Sequence, residues 1–353
     1  MMREFVFPGL TTRVVFGRGT IAQVGDEVRR LGHDGALVLS TPGHAKQALA
    51  LAGQLGKLAR GVFSEAAMHT PVDVTTRGVE AYRESGATCV VSIGGGSTIG
   101  LGKAIATRTG ADQVAVPTTY AGSEMTDILG ETEGGRKTTR RDASIRPEAA
   151  VYDVDLTLGL PKALTVTSAM NAIAHAVEAL YAPDRNPVLE LMSAEAVRAF
   201  ADALPRISET PRDVAARTSA LYGAWLCSAA LGYTTMALHH KLAHVLGGTF
   251  ETPHAETHAI LLPHTAAFNA EAVPELLAPV MQALGAAPGP GLHRFAKSVG
   301  APMRLADLGL TEADLDQAAR IATETPYDNP RPFDAGDIRA LLQAAWEGSE
   351  PPG

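Results

Sequence analysis

Two sets of residues in this chain have the types and spacing to do chemistry. The first is a run of histidines: seven of the eleven lie between His175 and His264. Within AMNAIAHAVE, Asn171 and His175 stand four positions apart and so share one face of a helix. Within LHHKLAHVLGGTFETPHAETHAILLPH, His240 and His244 repeat that spacing, and His254 and His258 follow a Gly-Gly break. Two such faces turned towards each other can hold a metal or a reacting carbonyl, whereas a single His in an Ala-rich helix is ordinarily a satisfied core residue. The second set is CVVSIGGGSTIGLGKAIA, an apolar strand running into Gly94, Gly95, Gly96 and Ser97 and then into a helix. Backbone amides of the turn and of the helix start converge there on an anion, and a Cβ would block close approach of a pyrophosphate. A Gly triplet alone is as often a plain tight turn. A second small-residue turn, PTTYAGSE with Thr118, Thr119 and Ser123, follows the next strand, and together the two form a crevice suited to a dinucleotide.

The elements that position these residues change character along the chain. In the first half, short apolar runs (Ala36–Leu39, Cys89–Ile93, Gln113–Val116) are each followed by a turn and a helical pattern, which implies parallel βαβ units. From Pro161 onward the segments are Ala/Leu-rich with helical periodicity and no β-branched blocks, so the second half reads as all-helical. The seam is YDVDLTLGLP, giving an α/β nucleotide-binding domain with a parallel sheet over residues 1–157 and an all-α domain over 158–353. The tail GSEPPG reads as frayed.

A chain of 353 residues is long enough for two such cores. Its net charge of -8 and the lack of a Lys/Arg-dense run argue against nucleic acid or an anionic membrane as partner, leaving small molecules. No segment approaches the roughly 20 apolar residues of a membrane span, and the start lacks a signal-peptide core, so a cytoplasmic location is expected. Cys89 and Cys227, each inside an apolar run, read as buried thiols.

The order GGGS, PTTxxGSE, NAIAHAVE and HHKLAHxLGGxFxxPHxExxAxLLPH resembles the type III, or iron-containing, alcohol dehydrogenase family over nearly the whole chain. The resemblance implies the dehydroquinate synthase-like architecture, with the active site in a cleft and a divalent metal held by one Asp and three His. Matched residue by residue, the three His fall on His175, His240 and His254, but the Asp falls on Asn171. A neutral amide offers only a carbonyl dipole where a carboxylate offers a full charge, so no tightly held metal is expected. Gly100 also stands where the dehydrogenases carry an Asp. The variants HTPVDVT, GRKTTRRD, LHHKLAHVLGG and NPRPFDAGDIRALLQAAWEG are similar to the maleylacetate reductase branch, whose members reduce a carbon-carbon double bond with NADH or NADPH to give 3-oxoadipate in aromatic-ring degradation. A metal-dependent alcohol or polyol dehydrogenase is the alternative.

Hydride addition to an enone yields an enolate whose charge is already delocalised, so donors and a proton source suffice without a Lewis acid. His240 and His244, with His175 and His254, are the expected catalytic set, and spacing does not say which is the acid. A dicarboxylate substrate calls for cations, for which Lys241 and Arg331 are candidates. The resemblance places Lys137 at the nicotinamide ribose. It also places Thr41 where NAD-specific members carry an Asp that repels a 2′-phosphate, so both cofactors should be accepted. A homodimer joined through the apolar edge Thr12–Val15 is expected.

Overall fold

The structure, a computed structural model, describes residues 4–134 and 136–353, apart from the side chain of Lys137. It divides into two compact units, one of residues 8–160 and one of residues 161–353 together with the segment ending at Phe7. The division therefore falls between Leu160 and Pro161 rather than at 157/158. The described residues of the N-terminal segment belong with the helices, where the Phe7 ring packs edge-on against Tyr233 at 6.4 Å.

The α/β unit is a six-stranded parallel sheet built from β1 (Arg13–Gly17), β2 (Ala36–Leu39), β3 (Ala59–Phe63), β4 (Cys89–Gly94), β5 (Asp112–Pro117) and β8 (Ala149–Asp153). Their spatial order is β1-β8-β5-β4-β2-β3. A separate antiparallel hairpin joins β6 (Ile128–Glu133) to β7 (Arg136–Arg141). β2, β4 and β8 are buried throughout, as the continuous apolar runs CVVSI and AAVY require of strands covered on both faces. One face packs on α1 (Val24–Arg30) and α2 (Ala45–Leu55) through Val24, Val28 and Leu51. The other packs on α3 (Val72–Ser85) and α4 (Gly96–Thr109) through Val79, Leu101 and Ile105. Cys89 and Cys227 are both buried free thiols.

The helical unit is centred on α5 (Lys162–Tyr181), whose residues from Thr165 onward are all buried, as its nearly uniform Ala-rich composition demands. Around it lie α6 (Pro187–Glu209), α7 (Val214–Tyr233), α8 (Leu238–Phe250), α9 (His254–Ala270), α10 (Ala278–Leu284), α11 (Pro288–Val299), α12 (Glu312–Thr323) and α13 (Ala335–Glu347). Side-chain caps start several of them: Asn186 accepts from the Val188 and Leu189 amides, and Asp334 forms a reciprocal capping box with Asp337. The tail is not frayed. Ser349 N–H donates to Ala344 O, Pro351 is buried, and the two prolines help wall a cavity of 280 Å³ against α9 and α13, because apolar prolines gain more from that surface than from water. Among the described residues no helix is long and apolar enough to cross a membrane.

Candidate active site

In the α/β unit the two turns singled out by sequence meet at the carboxyl ends of β4 and β5. Thr118 N–H donates to Gly94 O at 3.0 Å, which ties one turn to the other. Gly94 adopts φ +154°, and a Cβ there would lie 2.4 Å from Thr98 Oγ1, so no side chain is admissible. A Cβ on Gly95 would meet Thr119 Oγ1 at 3.0 Å, whereas one on Gly96 would have only the Ala121 Cβ, at 3.7 Å. Gly96 and Ser97 open α4, and their N–H groups have no acceptor among the described residues, as expected of a first helical turn awaiting an anion. Thr118 Oγ1 is likewise buried without a partner. Gly100 has its own reason to be glycine, since a Cβ there would approach Thr70 Oγ1 to 2.6 Å. At the end of β2, Thr41 Oγ1 sits 2.9 Å from His44 Nδ1, and Ser123 begins a single helical turn after Gly122. Lys137 belongs to β7, but its side chain lies outside the described residues.

In the helical unit, α5, α8 and α9 bring the histidines together. The His175 and His240 rings stack at 5.1 Å, His240 lies 4.9 Å from His258, and His258 lies 4.4 Å from His254. His244 is edge-on to His240 at 6.2 Å. His175, His239, His240 and His258 are buried, while His244 and His254 are exposed. His239 and Glu178 do not stand out by spacing, and His258, which does beside His254, lies outside the expected catalytic set.

Glu178 organises the site. It sits on α5, fully buried, and accepts from the Ala237 amide (3.0 Å), the His239 amide (2.8 Å) and His240 Nδ1 (2.6 Å). One carboxylate thus caps the start of α8, where the helix dipole favours negative charge, and orients the catalytic candidate His240. Burial pushes its carboxyl up, but the hydrogen bond from His240 and the neighbouring imidazoles outweigh this and hold it below the usual range. The sequence did carry a signal: a Glu three positions after His175 in an otherwise apolar helix must have a partner.

A second chain of hydrogen bonds assigns the tautomers of its neighbours. Thr265 Oγ1 donates to the Leu261 carbonyl (3.1 Å) and so accepts from His239 Nδ1 (3.0 Å). His239 Nε2 must then accept from His258 Nδ1, at 2.8 Å. Both rings are held neutral by burial and by adjacent histidines, which lower His239 to about 3 and His258 well below its ordinary value. His258 therefore presents a fixed lone pair at Nε2. That atom, His240 Nε2, His175 Nδ1 and Asn171 Oδ1 are all buried without a hydrogen-bond partner, a concentration of unmet polar atoms that marks a place for a polar ligand.

The two cations expected to grip a carboxylate differ. Arg331 is committed: it pairs with Glu271 at 2.8 Å and lies 4.0 Å over the Phe268 ring, because a guanidinium half-covered by apolar surface is best satisfied by a nearby carboxylate and an aromatic face. Lys241 holds its ammonium 5.6 Å over the Tyr327 ring and makes no ion pair among the described residues. The Tyr327 hydroxyl beside it is pushed up by burial and by Glu178.

Comparison with known proteins gives the family of the chain. Residues 11–154 match the family described as iron-containing alcohol dehydrogenase, and residues 165–346 match the C-terminal part of the Fe-containing alcohol dehydrogenase family. The chain is 57% identical over 350 residues to a maleylacetate reductase of Rhizobium sp., covering 99% of this chain and 100% of that one. It is 47% identical to a maleylacetate reductase of Burkholderia cepacia, with 99% and 100% covered. The crystal structure of maleylacetate reductase from Agrobacterium tumefaciens superposes with a TM-score of 0.97 at 57% identity, covering 99% of this chain and 100% of that one. The chain is an oxidoreductase that belongs to the iron-containing alcohol dehydrogenase family, within its maleylacetate reductase branch.

Proposed function

We propose that this chain reduces the carbon-carbon double bond of maleylacetate, giving 3-oxoadipate, with NADH or NADPH as reductant and without a tightly bound metal. The observation that carries the reading is the pairing of His240 with Glu178 beside an amide, Asn171, where the family's metal set has its carboxylate. Iron, which the family name implies, asks for converging lone pairs and a charge-balancing acid. Here the neutral Asn171 stands where that acid would be. Glu178 spends both oxygens on His240 and the start of α8. Among the described residues, no group of three or more His, Cys, Asp or Glu side chains is disposed to hold a metal ion. These features support a reaction that draws on no tightly bound metal.

The α/β unit fits a nicotinamide nucleotide. The glycine turn leaves free amides and space that a Cβ would fill, and Ser97, Thr118, Thr119 and Ser123 offer hydroxyls beside it. The amides of Gly96 and Ser97 and these hydroxyls would hold a reduced nicotinamide nucleotide, which would supply the hydride needed at the carbon β to the ketone. His240, with protons on both ring nitrogens and Nδ1 facing Glu178, would donate from Nε2 to the enolate oxygen and so give up the proton that completes the reduction. His258, locked as an acceptor by His239 and Thr265, cannot donate and instead orients a polar hydrogen of substrate or water. His175 and Asn171 complete the polar lining, His244 and His254 flank it, and Lys241 meets a substrate carboxylate. Thr41, which brings no negative charge to the end of β2, lets both NADH and NADPH bind. Two chains associate through the exposed edge of β1.

The test follows nucleotide oxidation with maleylacetate and with simple alcohols in parallel, before and after chelation. Maleylacetate-dependent turnover that survives chelation is expected. Loss of turnover on chelation with recovery on adding Fe(II) or Zn(II) would return His175, His240 and His254 to the role of ligands and favour the dehydrogenase reading.

A further inference from the structure

Lys103 is fully buried in α4, two turns beyond the glycine turn, where helix packing alone would favour a Leu or Ile. An ammonium taken out of water needs partners, and it has them. Its Nζ donates to Thr126 Oγ1 at 2.7 Å and to the Ile128 carbonyl at 3.0 Å, and Thr126 Oγ1 passes a hydrogen bond on to Ser123 O at 3.2 Å. Charged groups surround it from each packed element. Glu124 lies on the single helical turn at Ser123–Met125 and receives the Tyr152 hydroxyl from β8 at 2.9 Å. Asp127 precedes β6 and is paired with Arg146 and Arg141, while Glu131 on β6 is paired with Arg108 of α4. Burial lowers the lysine to about 7 against the opposing pull of Glu124 and Asp127.

These contacts join three pieces of backbone. α4 begins at the glycine turn, Ser123 closes the second turn, and Ile128 is the root of the hairpin that carries Lys137. Lys103 itself has no exposed surface and so touches no ligand. We propose that Lys103 is a positioning residue of the nucleotide site, holding the second turn and the hairpin root in register with the glycine turn from inside the unit. The proposal rests on the reading of these turns as the nicotinamide nucleotide site.

Thr126→Val is the sharpest test, because it keeps shape while deleting the hydroxyl that links Lys103 to Ser123. Expected are a rise in the NADH KM and in the Kd from direct NADH titration of about tenfold, a kcat within about twofold, and near-parental values for Thr126→Ser, which restores the hydroxyl. Lys103→Met should move NADH affinity in the same direction and further, with melting temperature recorded alongside. A Thr126→Val protein with parental NADH affinity, or one that loses kcat instead, overturns the proposal. Gly96→Ala, measured in parallel, separates the two layers of inference. If it weakens NADH while Thr126→Val does not, only the role of Lys103 fails; if neither does, the nucleotide site itself is misplaced.

Discussion

Replacing Glu178 by Gln tests whether its carboxylate serves chemistry or only the start of α8. The side chain accepts three N–H groups in full burial, two at Oε2 (Ala237 N and His240 Nδ1) and one at Oε1 (His239 N). Glutamine fills the same volume but offers one acceptor oxygen and one NH2. If the NH2 takes the Oε1 position, the His239 amide is orphaned at a cost of about 1–3 kcal/mol. If it takes the Oε2 position, the Ala237 amide is orphaned and His240 must reverse its tautomer. Either way a melting temperature lower by a few degrees is expected, at about 2–4 °C per kcal/mol or somewhat less for a chain of this length. The catalytic consequence is separate: without the carboxylate, His240 loses the acceptor that orients its ring through Nδ1. A fall in kcat of about 10²–10⁴-fold is expected, with the NADH KM little changed because no nucleotide-site residue is touched. Steady-state nucleotide oxidation and a thermal melt on the same preparation check both. A Glu178→Gln protein that melts lower yet turns over within about threefold of the parent would refute the reasoning and leave Glu178 as a helix cap.

Gly96→Ala adds a methyl whose nearest foreign atom is 3.7 Å away, so the melting temperature should hold or rise while NADH affinity falls by about 10- to 100-fold through the lost backbone approach; unchanged binding in an NADH titration would count against the turn. Acid should destabilise the chain steeply. Burial lowers His239 to about 3 and His264 to about 4, and pushes His175 and His258 well below 6.5, so between these values and 6.5 the unfolded chain binds more protons. Stability is then greatest above pH 6.5 and is lost on acidification, by up to about 1.4 kcal/mol per pH unit for each such histidine; denaturant unfolding that is flat from pH 7 to 5 would contradict this. β1 is a sheet-edge strand with exposed Arg13 and half-buried Val14, Val15 and Phe16, so light scattering should report a homodimer; a monomer at working concentration removes the edge pairing.

The architecture was legible in the chain because its signals are local. Continuous apolar runs such as CVVSI suffice to specify buried parallel strands, the Gly94–Gly96 turn marks where backbone must pass close to a ligand, and four-residue spacing puts Asn171 and His175 on one face of α5. Tertiary structure alone decided the division of labour among the histidines. Which ring faces Glu178, and that His239 and Thr265 lock His258 as an acceptor, depends on contacts spanning up to 62 positions, and a tautomer is fixed by its partners rather than by its own sequence. The same holds for the cations: Arg331 and Lys241 are indistinguishable as letters, but Glu271 and Phe268 occupy the first while the second keeps its charge free of any ion pair among the described residues. It holds for Lys103 as well, since a lysine in a helix of moderate polarity reads as a surface residue until the fold buries it against Thr126 and the Ile128 carbonyl.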